Sequence, residues 1–142
     1  MKPIKKIMVD ADAMFAFGNE LGESAANGEV LALCGELGAG KTCFVQGLAA
    51  GLGYDGPVSS PSFPILHEYW GGRLALFHFD FYRLESEHEL VGIDFDEYTN
   101  RNAAVLAIEW ADKFPSALPE CTRWLEFRIM ENGERLVQEI TQ

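Results

Sequence analysis

The sequence predicts an α/β layer fold with a mixed, largely parallel central sheet, and three observations carry that prediction. Residues 30–34 (Val-Leu-Ala-Leu-Cys) and 103–108 (Ala-Ala-Val-Leu-Ala-Ile) are unbroken apolar runs, as strands buried on both faces should be. Directly after the first run and a glycine-rich turn, residues 42–52 are free of proline and place Phe44, Val45, Leu48, Ala49 and Leu52 at helical spacing. Trp70-Gly71-Gly72 and Asn132-Gly133 each sit between strand-like segments, so hairpins add antiparallel strands to the parallel core.

The elements follow in order. Residues 5–9 read as a short strand. Asp10 and Asp12 are placed to cap a helix over 11–26, with Met14, Phe15, Phe17, Leu21 and Ala25 on its apolar side. Asn27-Gly28 ends it. The central strand and its helix come next, closing at Gly51 and Gly53. Residues 56–64 hold three prolines and three serines, which makes a loop. Residues 65–69 and 73–79 form the first hairpin. A short helix is expected over 85–91, the second apolar strand over 103–108, and a loop or short helix between Pro115 and Pro119. Residues 123–130 and 134–140 close the chain as a second hairpin.

The chain has 142 residues, 48% of them hydrophobic, enough for one compact domain over 1–142 with a real core. Its formal net charge is −11, with only eleven lysines and arginines. That balance argues against broad unaided binding to nucleic acid, where basic groups must replace counterions. Three cysteines (Cys34, Cys43, Cys121) form no C-x-x-C pair, and with His67, His78 and His88 they make no zinc pattern. They are expected to be reduced, mostly buried thiols of a cytoplasmic protein. Cys34 and Cys43 flank the glycine-rich turn, where oxidation would block a ligand. The basic start lacks a sustained apolar stretch and cleavage site, and no segment reaches transmembrane length, so no membrane association is expected.

The glycine-rich turn is Gly35-Glu36-Leu37-Gly38-Ala39-Gly40-Lys41-Thr42, which spells the P-loop pattern G-x-x-x-x-G-K-[ST]. With a strand before it and a helix after it, the fold expected is a P-loop NTPase-like three-layer sandwich. The glycines let backbone N–H groups converge on phosphate oxygens, and the helix N-terminus adds partial positive charge. Lys41 reaches toward the β- and γ-phosphates, and the Thr42 hydroxyl suits Mg²⁺. Hydrolysis also needs a held metal and an aimed water. Carboxylates at the C-terminal ends of apolar strands serve that need, since ligands of α/β sheets dock there. Two strands end this way, one in Asp80 and one in Glu109.

The run His78-Phe79-Asp80-Phe81-Tyr82-Arg83 alternates polar and aromatic residues, so a strand would put His78, Asp80 and Tyr82 on one face. Tyr82 and Arg83 can equally continue into a turn. Arg83 has three readings: charge stabiliser, partner contact, or salt bridge to Glu85 or Glu89, with the structural one favoured. His78 reads more readily as a satisfied core or edge histidine than as a catalyst. Trp110 is placed to stack near a nucleotide or simply to pack.

Gly-Glu-Leu-Gly-Ala-Gly-Lys-Thr at 35–42, Ser-Pro-Ser-Phe at 60–63, His-Phe-Asp-Phe-Tyr-Arg at 78–83 and Ile-Glu-Trp at 108–110 together resemble the TsaE (YjeE) family in order, spacing and chain size. The resemblance implies a bacterial ATPase that uses ATP and Mg²⁺ in threonylcarbamoyl modification of adenosine 37 of ANN-decoding tRNAs. It implies two protein partners, TsaB and TsaD, with tRNA reached only through that complex. TsaD carries out the transfer, and the ATPase resets the complex between turnovers. On this resemblance residues 35–42 hold the phosphates, Thr42 and Glu109 hold the metal, and Asp80 is the invariant aspartate, a base or a further metal ligand. Ser60 and Ser62 belong to a switch near the γ-phosphate, and Trp110 to an aromatic beside the nucleotide. Three positions depart from the family pattern: Cys43, Ser62 and Met14 stand where threonine is usual. The adenine contact is assigned to backbone near Asp10–Asp12, with Ala11 as its representative. Arg135 matches a family basic residue only loosely.

Two other functions compete. A small nucleotide or metabolite kinase usually needs a second substrate pocket and several arginines over the phosphates; this chain has six arginines in all and no evident lid. A nucleotide-binding switch with negligible turnover differs from a slow ATPase only in rate. A GTPase is disfavoured, since no N-K-x-D sequence is present to read guanine.

Overall fold

A computed structural model of the chain describes residues 3–58 and 65–141. Seven strands form one sheet in the order β1-β7-β6-β2-β5-β4-β3. They are β1 (Lys5–Met8), β2 (Val30–Gly35), β3 (Leu66–Tyr69), β4 (Ala75–Asp80), β5 (Ala104–Glu109), β6 (Arg123–Ile129) and β7 (Arg135–Ile140). The four central strands, β6, β2, β5 and β4, run parallel, while β1, β7 and β3 pair antiparallel at the flanks. The expected mixed, largely parallel sheet is therefore the one observed. The two apolar runs are its middle strands, and every residue of β5 is buried, as a strand covered on both faces requires.

Alternation along the strands sorts two cores. Leu31, Leu33, Leu76, Val105, Ala107, Leu125 and Val137 face helices α1 (Ala11–Ser24) and α2 (Lys41–Gly51). Ala32, Phe77, Phe79, Leu106, Ile108 and Trp124 face the opposite layer. That layer holds α3 (Glu89–Gly92), α4 (Phe95–Thr99) and two short 3-10 turns at Ala111–Lys113 and Pro115–Ala117.

The α1/α2 layer is joined by glycine. A Cβ on Gly18 would strike the Phe44 carbonyl, and one on Gly22 the Leu48 carbonyl. From the other side, a Cβ on Gly47 would strike the carbonyl of Phe15, and one on Gly51 that of Asn19. Two glycines four residues apart on each helix thus bring the backbones into direct contact. The opposite layer is aromatic: Phe79 lies against Phe95 (5.2 Å between centroids) and Tyr98 (5.4 Å), and Phe81 against Phe95 (5.4 Å).

Several expected boundaries shift. The α1 helix stops at Ser24 rather than 26, because Ala25 is extended (φ −62°, ψ 138°). Asp10 caps it as expected, accepting from Ala13 N at 2.8 Å. Phe15 is 40% exposed rather than core, since the buried stripe runs through Met14, Phe17, Gly18 and Gly22. The helix expected over 85–91 is only the short α3, and α4 is additional. The α4 helix starts at Asp94 in the left-handed region (φ 56°), a break that no glycine signals in the sequence. The 56–64 loop lies outside the described residues from 59 onward.

Candidate functional site

The P-loop joins β2 to α2. Gly35 (φ 141°), Gly38 (φ 83°) and Gly40 (φ 103°) all take backbone conformations that side chains disfavour. At Gly40 a Cβ would lie 2.8 Å from the flexible end of Met14, at Cε, so the left-handed backbone is what calls for glycine there. Gly40 is the N-cap of α2 and supplies no side-chain acceptor. The first-turn amides therefore keep their hydrogens for an external anion.

Lys41 begins α2 and is 5% exposed. Its Nζ donates to Gly35 O at 2.6 Å and lies 4.7 Å from the centroid of the Trp110 ring. The Trp110 backbone is left-handed (φ 58°), an uncommon state for a bulky residue. Its indole also meets the Tyr82 ring at 5.1 Å.

The register of β4 and β5 pairs Asp80 with Glu109 and His78 with Ala107. Equal strand ends thus deliver both carboxylates to one place. Asp80 is 5% exposed and Glu109 4%. Asp80 Oδ1 accepts from Tyr82 N at 2.8 Å. Burial pushes the Asp80 carboxyl above its ordinary value of 3.8; the Tyr82 N–H opposes this and the Glu109 charge adds to it.

Asp80, Glu109, Lys41 and Thr42 line one cavity of about 620 Å³, whose wall also includes Gly38, Gly40, Cys43, Trp110 and Leu37. Tyr82 and Arg83 close its remaining side. Both lie on the turn after β4, which Lys113 pins by donating to the carbonyls of Tyr82 (2.9 Å) and Leu84. The strand ends at Asp80, so Tyr82 does not share a strand face with His78; it is 58% exposed at the rim. Ala11 and Cys43 belong to an adjoining cleft of about 340 Å³ that shares Gly38, Gly40 and Cys43 with the cavity. There the Cys43 thiol contacts Ala11 O at 3.3 Å, and Arg135 reaches the P-loop by donating to Gly38 O at 3.3 Å. The basic residue that matched only loosely in sequence is thus in contact with the loop. Ser60 and Ser62 lie outside the described residues.

Two expectations need correction. His78 is not an ordinary satisfied core histidine. It is fully buried, with Nε2 2.6 Å from Glu109 Oε2 and Nδ1 without a partner among the described residues. The signal available in sequence was its position two residues before Asp80 on one strand face. The cysteines are not mostly buried either: Cys34 is buried, Cys43 half-buried and Cys121 exposed. Burial pushes the Cys34 thiol up to about 12 and also raises Cys43. Both shifts disfavour the thiolate at the two cysteines that flank the P-loop.

The donors present are hard oxygens, namely two carboxylates and a hydroxyl. Among the described residues no group of three or more His, Cys, Asp and Glu side chains is placed to hold a metal by itself. That set fits Mg²⁺, which keeps its waters and takes one or two carboxylates beside substrate phosphates. No described helix is long and apolar enough to cross a membrane.

Comparison with known proteins agrees with this geometry. Residues 8–139 match the family described as threonylcarbamoyl adenosine biosynthesis protein TsaE. The tRNA threonylcarbamoyladenosine biosynthesis protein TsaE of Treponema pallidum is 41% identical over 119 residues, covering 84% of this chain and 87% of its own length. That of Bacillus subtilis is 42% identical over 120 residues (84% and 74%), and that of Aquifex aeolicus 30% over 141 (97% of each). The crystal structure of Bacillus subtilis YdiB superposes with a TM-score of 0.79 at 32% identity, covering 97% of this chain and 84% of that one. A profile match across most of the chain, relatives of similar length and a shared fold lead to one conclusion: this chain belongs to the TsaE family of tRNA threonylcarbamoyladenosine biosynthesis proteins.

Proposed function

We propose that the chain is a P-loop ATPase, a single domain over 1–142, whose ATP hydrolysis supports repeated turnover of the tRNA threonylcarbamoyladenosine machinery. On this reading it works in the cytoplasm with TsaB and TsaD and meets tRNA only through them. The observation that carries the reading is the convergence of three buried charged side chains, Lys41, Asp80 and Glu109, on one cavity at the P-loop. A structural role alone does not call for such a grouping, because buried charges are costly unless a partner or ligand compensates them.

Amides 36–42 and Lys41 hold the β- and γ-phosphates, with Lys41 exchanging its bond to Gly35 O for one to phosphate. Thr42 and Glu109 would hold Mg²⁺, whose chemistry there would be to neutralise charge on the phosphate oxygens. Asp80 orients the attacking water or takes its proton; a carboxylate raised by burial is the stronger base. Whether it also touches the metal is a second role open to the same side chain. Trp110 packs beside the phosphates, and the cleft at Ala11, Cys43 and Met14 takes the nucleoside. Ser60 and Ser62 are assigned to the γ-phosphate side by family resemblance alone. Positioning and electrostatics supply most of the acceleration.

The test is ATP hydrolysis by the purified protein, alone and with TsaB and TsaD, with tRNA modification as a second readout. Hydrolysis that rises with the partners is expected. Phosphate transfer to a small metabolite without partners would point instead to a kinase. ATP binding without hydrolysis in any combination would point to a nucleotide switch.

A further inference from the structure

His78 is fully buried, and among the described residues its hydrogen-bond contact is with a carboxylate assigned to the metal. A metal-binding carboxylate can only accept, so with Glu109 in that role the 2.6 Å contact is assigned its hydrogen on His78 Nε2. The other ring nitrogen, Nδ1, is buried without a partner among the described residues. A histidine used only to fill space is a poor choice here. Its strand neighbours Phe77 and Phe79 are themselves fully buried, and an apolar side chain would avoid the unpaired nitrogen. The residue opposite His78 is Ala107, whose methyl leaves the imidazole room to lean along the sheet toward Glu109.

We infer that His78 is a positioning residue that makes Glu109 a one-oxygen ligand and thereby selects Mg²⁺ over Ca²⁺. With Oε2 already accepting from the imidazole, ligation through both oxygens is disfavoured and Oε1 is the freer donor to a cation or one of its waters. Ca²⁺ tolerates six to eight oxygens in loose geometry and readily takes carboxylates through both oxygens. Mg²⁺ demands a near-ideal octahedron and suits a carboxylate fixed through one. Hydrogen-bonded partners of ligating groups commonly set the affinity of such sites. The inference rests on the nucleotide–metal reading above.

The experiment is equilibrium binding of a fluorescent ATP analogue with Mg²⁺, with Ca²⁺ and with EDTA, on the unmodified chain, His78→Phe and His78→Gln. Melting curves confirm that each variant is folded, and His78→Leu replaces the Phe variant if that one fails. His78→Phe is expected to lower the Mg²⁺-over-Ca²⁺ preference about tenfold while leaving binding in EDTA within about twofold. His78→Gln, whose amide N–H reaches as far as Nε2, is expected to restore most of the preference. A folded Phe or Leu variant with the parental ratio, or a Gln variant that loses the ratio as Phe does, would overturn the inference. In the unmodified chain, the Nε2 proton should give a protected downfield NMR signal that moves with Mg²⁺–nucleotide more than with Ca²⁺–nucleotide. Equal movement with both would count against the inference even without a folded variant. If the unmodified chain binds no nucleotide with either metal, the nucleotide reading itself fails. Metal-dependent binding that His78 does not influence removes the inference alone.

Discussion

The two faces of the sheet meet their helices differently. On one, α1 and α2 meet backbone to backbone through Gly18, Gly22, Gly47 and Gly51. On the other, short helices pack through large rings: Phe77, Phe79, Phe81, Phe95 and Tyr98. The glycine contact tolerates no added atom but buries little side-chain volume. The aromatic contact contributes through buried volume. The functional side chains lie with the glycine face, since α2 begins with Lys41 and the odd positions of β5 lead to Glu109. On the face that carries the site, backbone contact fixes how closely the two helices approach while the rings of Phe17, Phe44 and Phe127 fill the core beneath them; on the other face the short helices pack chiefly through rings.

The largest expected effect tests the aromatic face. Phe79→Ala should cost about 4 kcal/mol of stability, the usual loss for a fully buried phenylalanine. While the variant is folded it should leave nucleotide affinity near the parental value; denaturant melts and a nucleotide titration check both. On the glycine face, Gly47→Leu should cost about 3 kcal/mol by overpacking. Because it drives α2 away from α1, it should also weaken nucleotide binding in the fraction that folds. If Gly47→Leu changes stability alone, the coupling of that face to the site is wrong.

Within the site, Lys41→Ala should lower ATP turnover or phosphate affinity about 100-fold with little change in Tm, as loss of a major phosphate contact implies. Asp80→Asn should instead raise stability. The folded-state value of Asp80 lies above its unfolded one, so the folded protein holds the proton to higher pH. The stability Asp80 contributes is therefore lost as pH rises from 3.8 through the folded value, and above that value its buried charge is a cost. Asn keeps the acceptor for Tyr82 N–H and removes that charge. A higher Tm at pH 7 without metal or nucleotide, together with lost hydrolysis, is expected; parental hydrolysis with TsaB and TsaD present would refute the role of Asp80.

The smallest effect lies far from the site. Arg123 joins Glu139 (3.1 Å) and Glu29 (3.0 Å), and the guanidinium holds the Glu139 carboxyl below its ordinary 4.5. The stability this adds is present above 4.5 and lost as pH falls through the lowered value. Arg123→Met should remove about 1 kcal/mol or less and flatten the acid limb of the stability curve.

Much of this molecule was legible in its residues. The apolar runs at 30–34 and 103–108 became the middle strands, and the Asp10 cap and both hairpins formed where turn chemistry put them. The P-loop and the two terminal carboxylates came together as their strand ends implied. Less legible was whatever depends on a partner far along the chain. Glycines 18, 22, 47 and 51 weaken helices on propensity alone, and their use emerges only once α1 and α2 touch. The residue before α4, Asp94, is left-handed, and Phe95 directly after it is buried in the aromatic layer.

By itself the sequence determined the local chemistry: which turn cradles an anion, which strands are buried, and which carboxylates end them. Those properties depend on residues within a few positions of one another. Tertiary structure alone decided that His78 holds Glu109, that Trp110 lies over Lys41, and that Arg135 touches the P-loop. These contacts join residues 31, 69 and 97 positions apart, and only the register and order of strands can bring such distances to a few ångströms.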